Sequence, residues 1–155
     1  MLLFHIALNG ARNIYPVKVC VSDHDGIDKL YIGNASGTHT LKQFRKSMLK
    51  SVNVKAFTFD SLIDLYGIDH VDILKCDVEG AELDVIKGMS KSLTSGIVDK
   101  ITLEWHSKPI MKKLLQIFRS YGYKCKVCTF LSDDTTRLNI GYLYVSMNED
   151  VFYED

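Results

Sequence analysis

Val71-Asp72-Ile73-Leu74-Lys75-Cys76-Asp77-Val78-Glu79-Gly80-Ala81-Glu82 is the stretch on which the fold turns. Residues 71–76 are a compact apolar run of strand length, in the pattern of a central parallel strand. Three carboxylates follow within six residues: Asp77 at the strand end, Glu79 in the turn and Glu82 in the first turn of the next element. Gly80 permits a sharp turn and a close backbone approach. Ala81, Val85, Ile86, Met89 and Leu93 then fall on one stripe at helical spacing, which predicts a helix over 80–93. In open α/β sheets ligands bind beyond the carboxyl ends of the strands, which is where this corner lies. One or two acids there would be explained by the helix dipole, each worth about 0.3–1 kcal/mol. Three together repel and raise at least one pKa, an arrangement kept for work more often than for stability.

Upstream, residues 17–21 alternate and are rich in β-branched side chains, so they predict a strand. Residues 22–26 read as a turn, 29–32 as a short second strand and 33–40 as a polar loop. Residues 41–49 read as a weak helix or a continuation of that loop, and 52–59 as a strand. Asp60 is placed as the N-cap of a short helix over 61–66 that stops at Gly67. The first eight residues read as the last turns of a helix that has lost its beginning.

Downstream, residues 98–105 predict a strand. Pro109 suits the first turn of a helix running to about residue 121, with Ile110, Leu114, Leu115, Ile117 and Phe118 facing inward. Residues 123–130 and 140–146 predict an antiparallel hairpin around the polar loop at 132–136. Strands alternating with helices predict one α/β domain over 1–155, built on a mostly parallel sheet covered on both faces. Glu104 and His106 flank Trp105, share one face of their strand and lie at its carboxyl end. In a parallel sheet they open into the same crevice as Asp77. A histidine beside carboxylates is a candidate general base.

The composition sets limits. Lys plus Arg equals Asp plus Glu at 19 each, so the chain lacks the cationic surplus of a general nucleic-acid binder. No apolar run approaches the roughly 18 residues needed to span a bilayer, and no basic segment precedes the short apolar start as in a signal peptide. Of the four cysteines only Cys125 and Cys128 have metal-like spacing. One such pair in an alternating stretch, without a second pair or suitable histidines, predicts no metal. Free thiols suit a reducing compartment, hence a cytoplasmic location. Asp77-x-Glu79 with its neighbouring carboxylates could serve Mg²⁺ in a hydrolase, but nothing else in the chain supports phosphate chemistry.

Residues 71–88 resemble the signature segment of the FkbM-type methyltransferases across strand, turn and helix. Val19-Cys20-Val21-Ser22-Asp23-His24-Asp25-Gly26, Phe59-Asp60-Ser61-Leu62 and Leu103-Glu104-Trp105-His106 are similar to the flanking segments of that family, so the likeness extends from roughly residue 9 to 147. The resemblance implies a class I methyltransferase Rossmann-like sheet, seven-stranded with its last strand inserted antiparallel. It implies S-adenosylmethionine as cofactor and methyl transfer to a hydroxyl of a small molecule or glycan. Asp77, Glu79 and His106 are then the catalytic candidates, with His106 or Asp77 as the base that deprotonates the acceptor hydroxyl. Ser22, Asp23 and Asp77 become cofactor contacts, and Glu82 and Glu104 substrate contacts. The segments at 33–49 and 132–139 are the expected contributors to acceptor binding.

The family opens with a strand, a glycine-rich loop and an acidic residue on the second strand, and this sequence starts after all three. None of its ten glycines forms a Gly-x-Gly cluster opening a helix. A truncated sheet lacking the first strands is therefore expected. Each lost charge-assisted hydrogen bond to the cofactor costs on the order of 1.5–3 kcal/mol, so two or three weaken binding about a thousandfold or more. That leaves two expectations: a partial or split enzyme, or a non-catalytic remnant serving as an interaction module. The strand at 17–21 would be a raw edge, covered by self-association or by a complementing chain.

Overall fold

The computed structural model describes residues 2–33, 39–41, 50–129 and 140–148. In chain order its elements are α1 (Leu2–Leu8), β1 (Cys20–Val21), β2 (Gly26–Tyr31), β3 (Ser51–Phe57), α2 (Phe59–Tyr66), β4 (Val71–Cys76), α3 (Glu82–Lys87), α4 (Ser90–Ser95), β5 (Val98–Trp105), α5 (Lys108–Ser120), β6 (Lys124–Thr129) and β7 (Gly141–Ser146). The expected loop at 132–136, residues 34–38 and residues 42–49 lie outside the described residues.

The α/β class is borne out, but the single mostly parallel sheet is not what forms. The described strands make two sheets, β1-β3-β2 and β4-β5-β7-β6. Parallel pairing is confined to β1 with β3 and β4 with β5. The pairs β2–β3, β5–β7 and β6–β7 are antiparallel. Connection length explains the second sense. Only residues 22–25 separate β1 from β2, too few for the crossover that parallel neighbours need. β2 therefore runs back along the far side of β3. The closing hairpin forms as expected, and its second strand lies against β5 in a register from Lys100↔Ser146 to Trp105↔Gly141. β1 and β4 each stand at an end of their sheet. The expected strand at 17–21 is shorter than read, with only Cys20 and Val21 in the ladder.

The core belongs to the four-stranded sheet. Ile101, Leu103 and Trp105 alternate along β5 and pair with Val145, Leu143 and Gly141 of β7. Leu114 and Phe118 of α5, with Val85, Ile86, Met89 and Leu93, pack over that face, and all are buried. Fully burying each such side chain contributes about 1.5–3 kcal/mol. Tyr123 closes the layer, its hydroxyl donating to the Val98 carbonyl at 3.0 Å. A Cβ at Gly141 would run into the Trp105 ring and the Cys128 carbonyl, so glycine there makes room for the indole. Cys125 is half-buried and Cys128 exposed. Three residues apart on a strand, they point to opposite faces and form no thiolate pair.

The helix predicted over 80–93 is two helices, α3 and α4, broken at Gly88–Met89. Tertiary contacts make the break. The Gly88 carbonyl accepts from the Asp60 amide at 3.0 Å, and a Cβ at Gly88 would strike the Ser22 carbonyl. Asp60 is not the N-cap of α2. Thr58 holds that position, its hydroxyl accepting from the Ser61 amide at 3.0 Å. Asp60 instead caps α4, accepting from the Lys91 and Ser92 amides at 2.8 and 2.9 Å. The stop at Gly67 is as read, with φ 61°. α5 begins at Ser107, whose hydroxyl accepts from the Ile110 amide at 3.3 Å. α1 forms at the N-terminus with no buried residue. Among the described residues no helix is long and apolar enough to cross a membrane.

Candidate active site

Parallel pairing of β4 with β5 sets Cys76 opposite Leu103, so the residues beyond each strand emerge side by side. Asp77 leaves β4, while Glu104 and His106 come from the end of β5 and just beyond it. After Val78 the chain reverses through two left-handed residues, Glu79 at φ 48° and Gly80 at φ 93°. Glycine adopts that region freely, whereas a non-glycine residue held there costs of order 1–3 kcal/mol. Thr40 secures the turn, its hydroxyl donating to the Glu79 carbonyl at 2.6 Å. Sequence reading missed Thr40, because a lone threonine in a polar loop carries no signal of a contact 39 residues away.

His106 is the hub. Its Nδ1 lies 2.5 Å from Glu82 Oε1, and the same oxygen accepts from the Gly80 amide at 2.9 Å. An oxygen accepting from both places the imidazole proton on Nδ1. The other ring nitrogen, Nε2, faces Glu79 Oε2 at 3.4 Å and Glu104 Oε1 at 3.8 Å. The Glu82 hydrogen bond is the main influence raising the His106 pKa above its ordinary value. Burial opposes it, and the charges of Glu82, Glu79 and Glu104 add to it. Glu82 is 0% exposed, and its Oε2 has no hydrogen-bond partner among the described residues. Beside it, burial pushes the Cys76 thiol up to about 12, helped by the charges of Glu82 and Asp77. That thiol is a neutral apolar group at physiological pH.

Asp77 is more open, with Lys75 Nζ at 3.3 Å from its Oδ2. Atoms of Asp77, Glu79 and His106 lie within 4.8 Å of one another, as do atoms of His70, Asp72 and Asp99 on the outer surface. Either set is close enough to share a cation, and neither is assigned one. The structure thus gathers four of the residues singled out in the sequence, Asp77, Glu79, Glu82 and Glu104, around the imidazole of a fifth, His106. It does not bring Ser22 and Asp23 to them. Ser22 is buried, with its amide donating to the Phe57 carbonyl at 2.9 Å. Asp23 pairs with His24 at 3.0 Å and faces Lys87 Nζ at 3.9 Å. Both sit by Lys87 and Gly88, at the far end of the six-residue α3, roughly 9 Å along its axis from Glu82 at 1.5 Å per residue.

A buried carboxylate, an imidazole with its free nitrogen turned outward, and further carboxylates beside that nitrogen form a group able to accept a proton from a hydroxyl. The sequence profile of the family described as Methyltransferase FkbM domain matches residues 1–125. Over 73 residues the chain is 34% identical to the hexuronic acid methyltransferase AglP of Haloferax volcanii, an alignment covering 47% of this chain and 28% of that protein. The chain therefore matches little more than a quarter of the length of that curated relative. No solved structure matches.

Proposed function

The chain belongs to the FkbM methyltransferase domain family, and from that premise we propose that it carries out methyl transfer from S-adenosylmethionine to a hydroxyl of a sugar or small natural product, with His106 as the base. The observation that supports this reading most is the pairing of His106 Nδ1 with Glu82, which leaves Nε2 turned toward Glu79 and Glu104 at the open end of the strands. A sugar acceptor agrees with the relative whose name specifies a hexuronic acid.

S-adenosylmethionine supplies, when bound, a methyl group on a positively charged sulfur. Among the residues read as its contacts, Asp77 fits, because its exposed carboxylate at the strand end can accept hydrogen bonds and balance positive charge. Asp23 is also exposed, but Ser22 is buried, with its backbone carbonyl against Gly88, and fits least. The acceptor hydroxyl gives its proton to His106 Nε2. His106 holds the proton while the hydroxyl oxygen receives the methyl group that the cofactor, held at Asp77, would supply, its sulfur keeping the bonding pair. Glu79 and Glu104 stabilise the imidazolium that forms, and Glu104 is also open to hydrogen bonds from acceptor hydroxyls. Methyl transfer is a direct displacement, so alignment carries much of the rate.

The reading includes a partner. The free edge of β1 is covered by a second copy of the chain or by a complementing chain.

General-base catalysis contributes typically 10²–10⁴-fold. With S-adenosylmethionine and glucuronic acid as the assayed pair, His106→Ala should lower kcat/KM by about a hundredfold or more. Asp77→Asn should abolish turnover. Unchanged turnover in either variant removes that residue from the mechanism. Absence of calorimetric heat at millimolar S-adenosylmethionine would leave only the non-catalytic interaction module.

A further inference from the structure

Glu82 is the most deeply buried charged side chain described, at 0% exposure. One oxygen holds the Gly80 amide and His106 Nδ1. The other has no partner among the described residues. Burying a carboxylate in this way is expensive, and an apolar residue of similar volume would commonly serve stability as well or better. No acceptor molecule could reach its carboxylate without displacing the packing around α3. The role of substrate contact, which the resemblance implies for Glu82, does not suit a group sealed from solvent.

We infer that Glu82 is a positioning residue, which fixes the tautomer and the ring orientation of His106 so that Nε2 faces the acceptor. The assignment rests on the proposed reaction for its purpose, but its geometry stands without it. Three contacts define it. The Gly80 amide locks the carboxylate from the turn, so the oxygen meeting His106 cannot swing away. The Nδ1 contact at 2.5 Å is close, shorter than the about 2.7–2.9 Å usual for a charge-assisted nitrogen–oxygen bond. The remaining nitrogen is left to Glu79 and Glu104, at distances of 3.4 and 3.8 Å that a reacting hydroxyl could enter between. A histidine whose one nitrogen is held by a carboxylate has a defined free nitrogen, the property a base needs. The turn at Glu79 and Gly80 serves the same end, since it brings the Gly80 amide and the Glu79 side chain to opposite sides of this pair.

Nitrogen-15 NMR of the full chain, with labelled histidine, reads the ring directly. At a pH above the raised His106 pKa, where the ring is neutral, its proton should reside on Nδ1 in the wild-type protein and redistribute toward Nε2 in Glu82→Gln. A proton on Nε2 in the wild type, or an unchanged ring in a folded Glu82→Gln protein, overturns the assignment. Kinetics with S-adenosylmethionine and glucuronic acid provide the second measurement. Glu82→Gln should lower kcat at least tenfold with KM changed less than twofold, whereas a substrate contact would raise KM. The wild-type spectrum needs neither turnover nor a folded variant, so failure of the proposed reaction and failure of this assignment are separable.

Discussion

The two sheets of this molecule differ in how much they keep from water. Every member of the main buried cluster, from Cys76 to Val145, belongs to the four-stranded sheet, the helices packed on it or the turns joining them. On the N-terminal side of Cys76 the buried apolar residues are Ala56 and Ile63. The three-stranded sheet leaves Ile27 and Val52 exposed, and α1 exposes Leu2, Leu3, Phe4 and Leu8. The difference teaches where a site can be built. His106 and the four carboxylates around it are carried by the well-packed sheet, the turns leaving it or the start of α3. Ser22 and Asp23, read from sequence as cofactor contacts, follow a two-residue strand of the thin sheet. A catalytic group must be held within a fraction of an ångström, and only one of the two sheets has the packing to do so.

The largest expected effect breaks the thick side. Phe118→Ala removes a fully buried ring and should cost about 3–5 kcal/mol in urea denaturation. Ile27→Ala, at a position 62% exposed, should cost less than about 0.5 kcal/mol. Equal losses would show that the thin sheet is packed as well as the thick one, and the comparison would fail.

The sequence foretold these regions unequally, for physical reasons. Strand, turn and helix around Asp77 were readable from the apolar run and the stripe that follows, but β4 stands at a sheet end with Ile73 exposed, not at the centre as its composition suggested. Glu104 and His106 were placed correctly on one face by strand alternation alone. The reading failed where tertiary contacts override local signals. The apolar stripe from Ala81 to Leu93 runs on through Gly88, and only the approach of Ser22 and Asp60 divides the helix there. Asp60 looked like a cap for the helix following it, yet it caps α4, 31 residues on. The burial of Glu82 was equally hidden, since a glutamate in a first helical turn is ordinarily solvated. Its partner lies 24 residues away.

A second test sharpens the contrast at the edges. Among the described residues β5 is paired on both sides, and β1 only with β3. Amides of residues 17–21 should exchange with solvent orders of magnitude faster than those of Ile101 and Leu103 in a dilute sample. If a second copy covers β1, raising the concentration should slow exchange at residues 17–21 and add a heavier species in sedimentation. A monomer at every concentration, with that edge still exchanging fast, counts against self-association and leaves a complementing chain as the partner.

The smallest effect distinguishes the two regions by pH. Asp25, in the turn between β1 and β2, accepts from the Thr58 amide at 2.7 Å and from the Ser61 hydroxyl at 2.6 Å. The Ser61 bond, then the Thr58 bond, holds its pKa below the ordinary 3.8. A carboxyl with a depressed folded pKa contributes stability that is present above the unfolded value and lost as pH falls through the folded one. His106 has its pKa raised above 6.5 by Glu82, so its contribution is complete below that value and is lost as pH rises through the folded one. Asp25→Asn should therefore lower stability by a constant small amount at neutral pH, with the difference from wild type closing as pH drops below 3.8. His106→Gln should show the opposite profile, its difference from wild type shrinking toward alkaline pH. Parallel profiles for the two variants would mean that neither pair is linked to folding as its geometry requires. Opposite ones would tie acid sensitivity to the thin sheet and alkaline sensitivity to the corner beside the thick one.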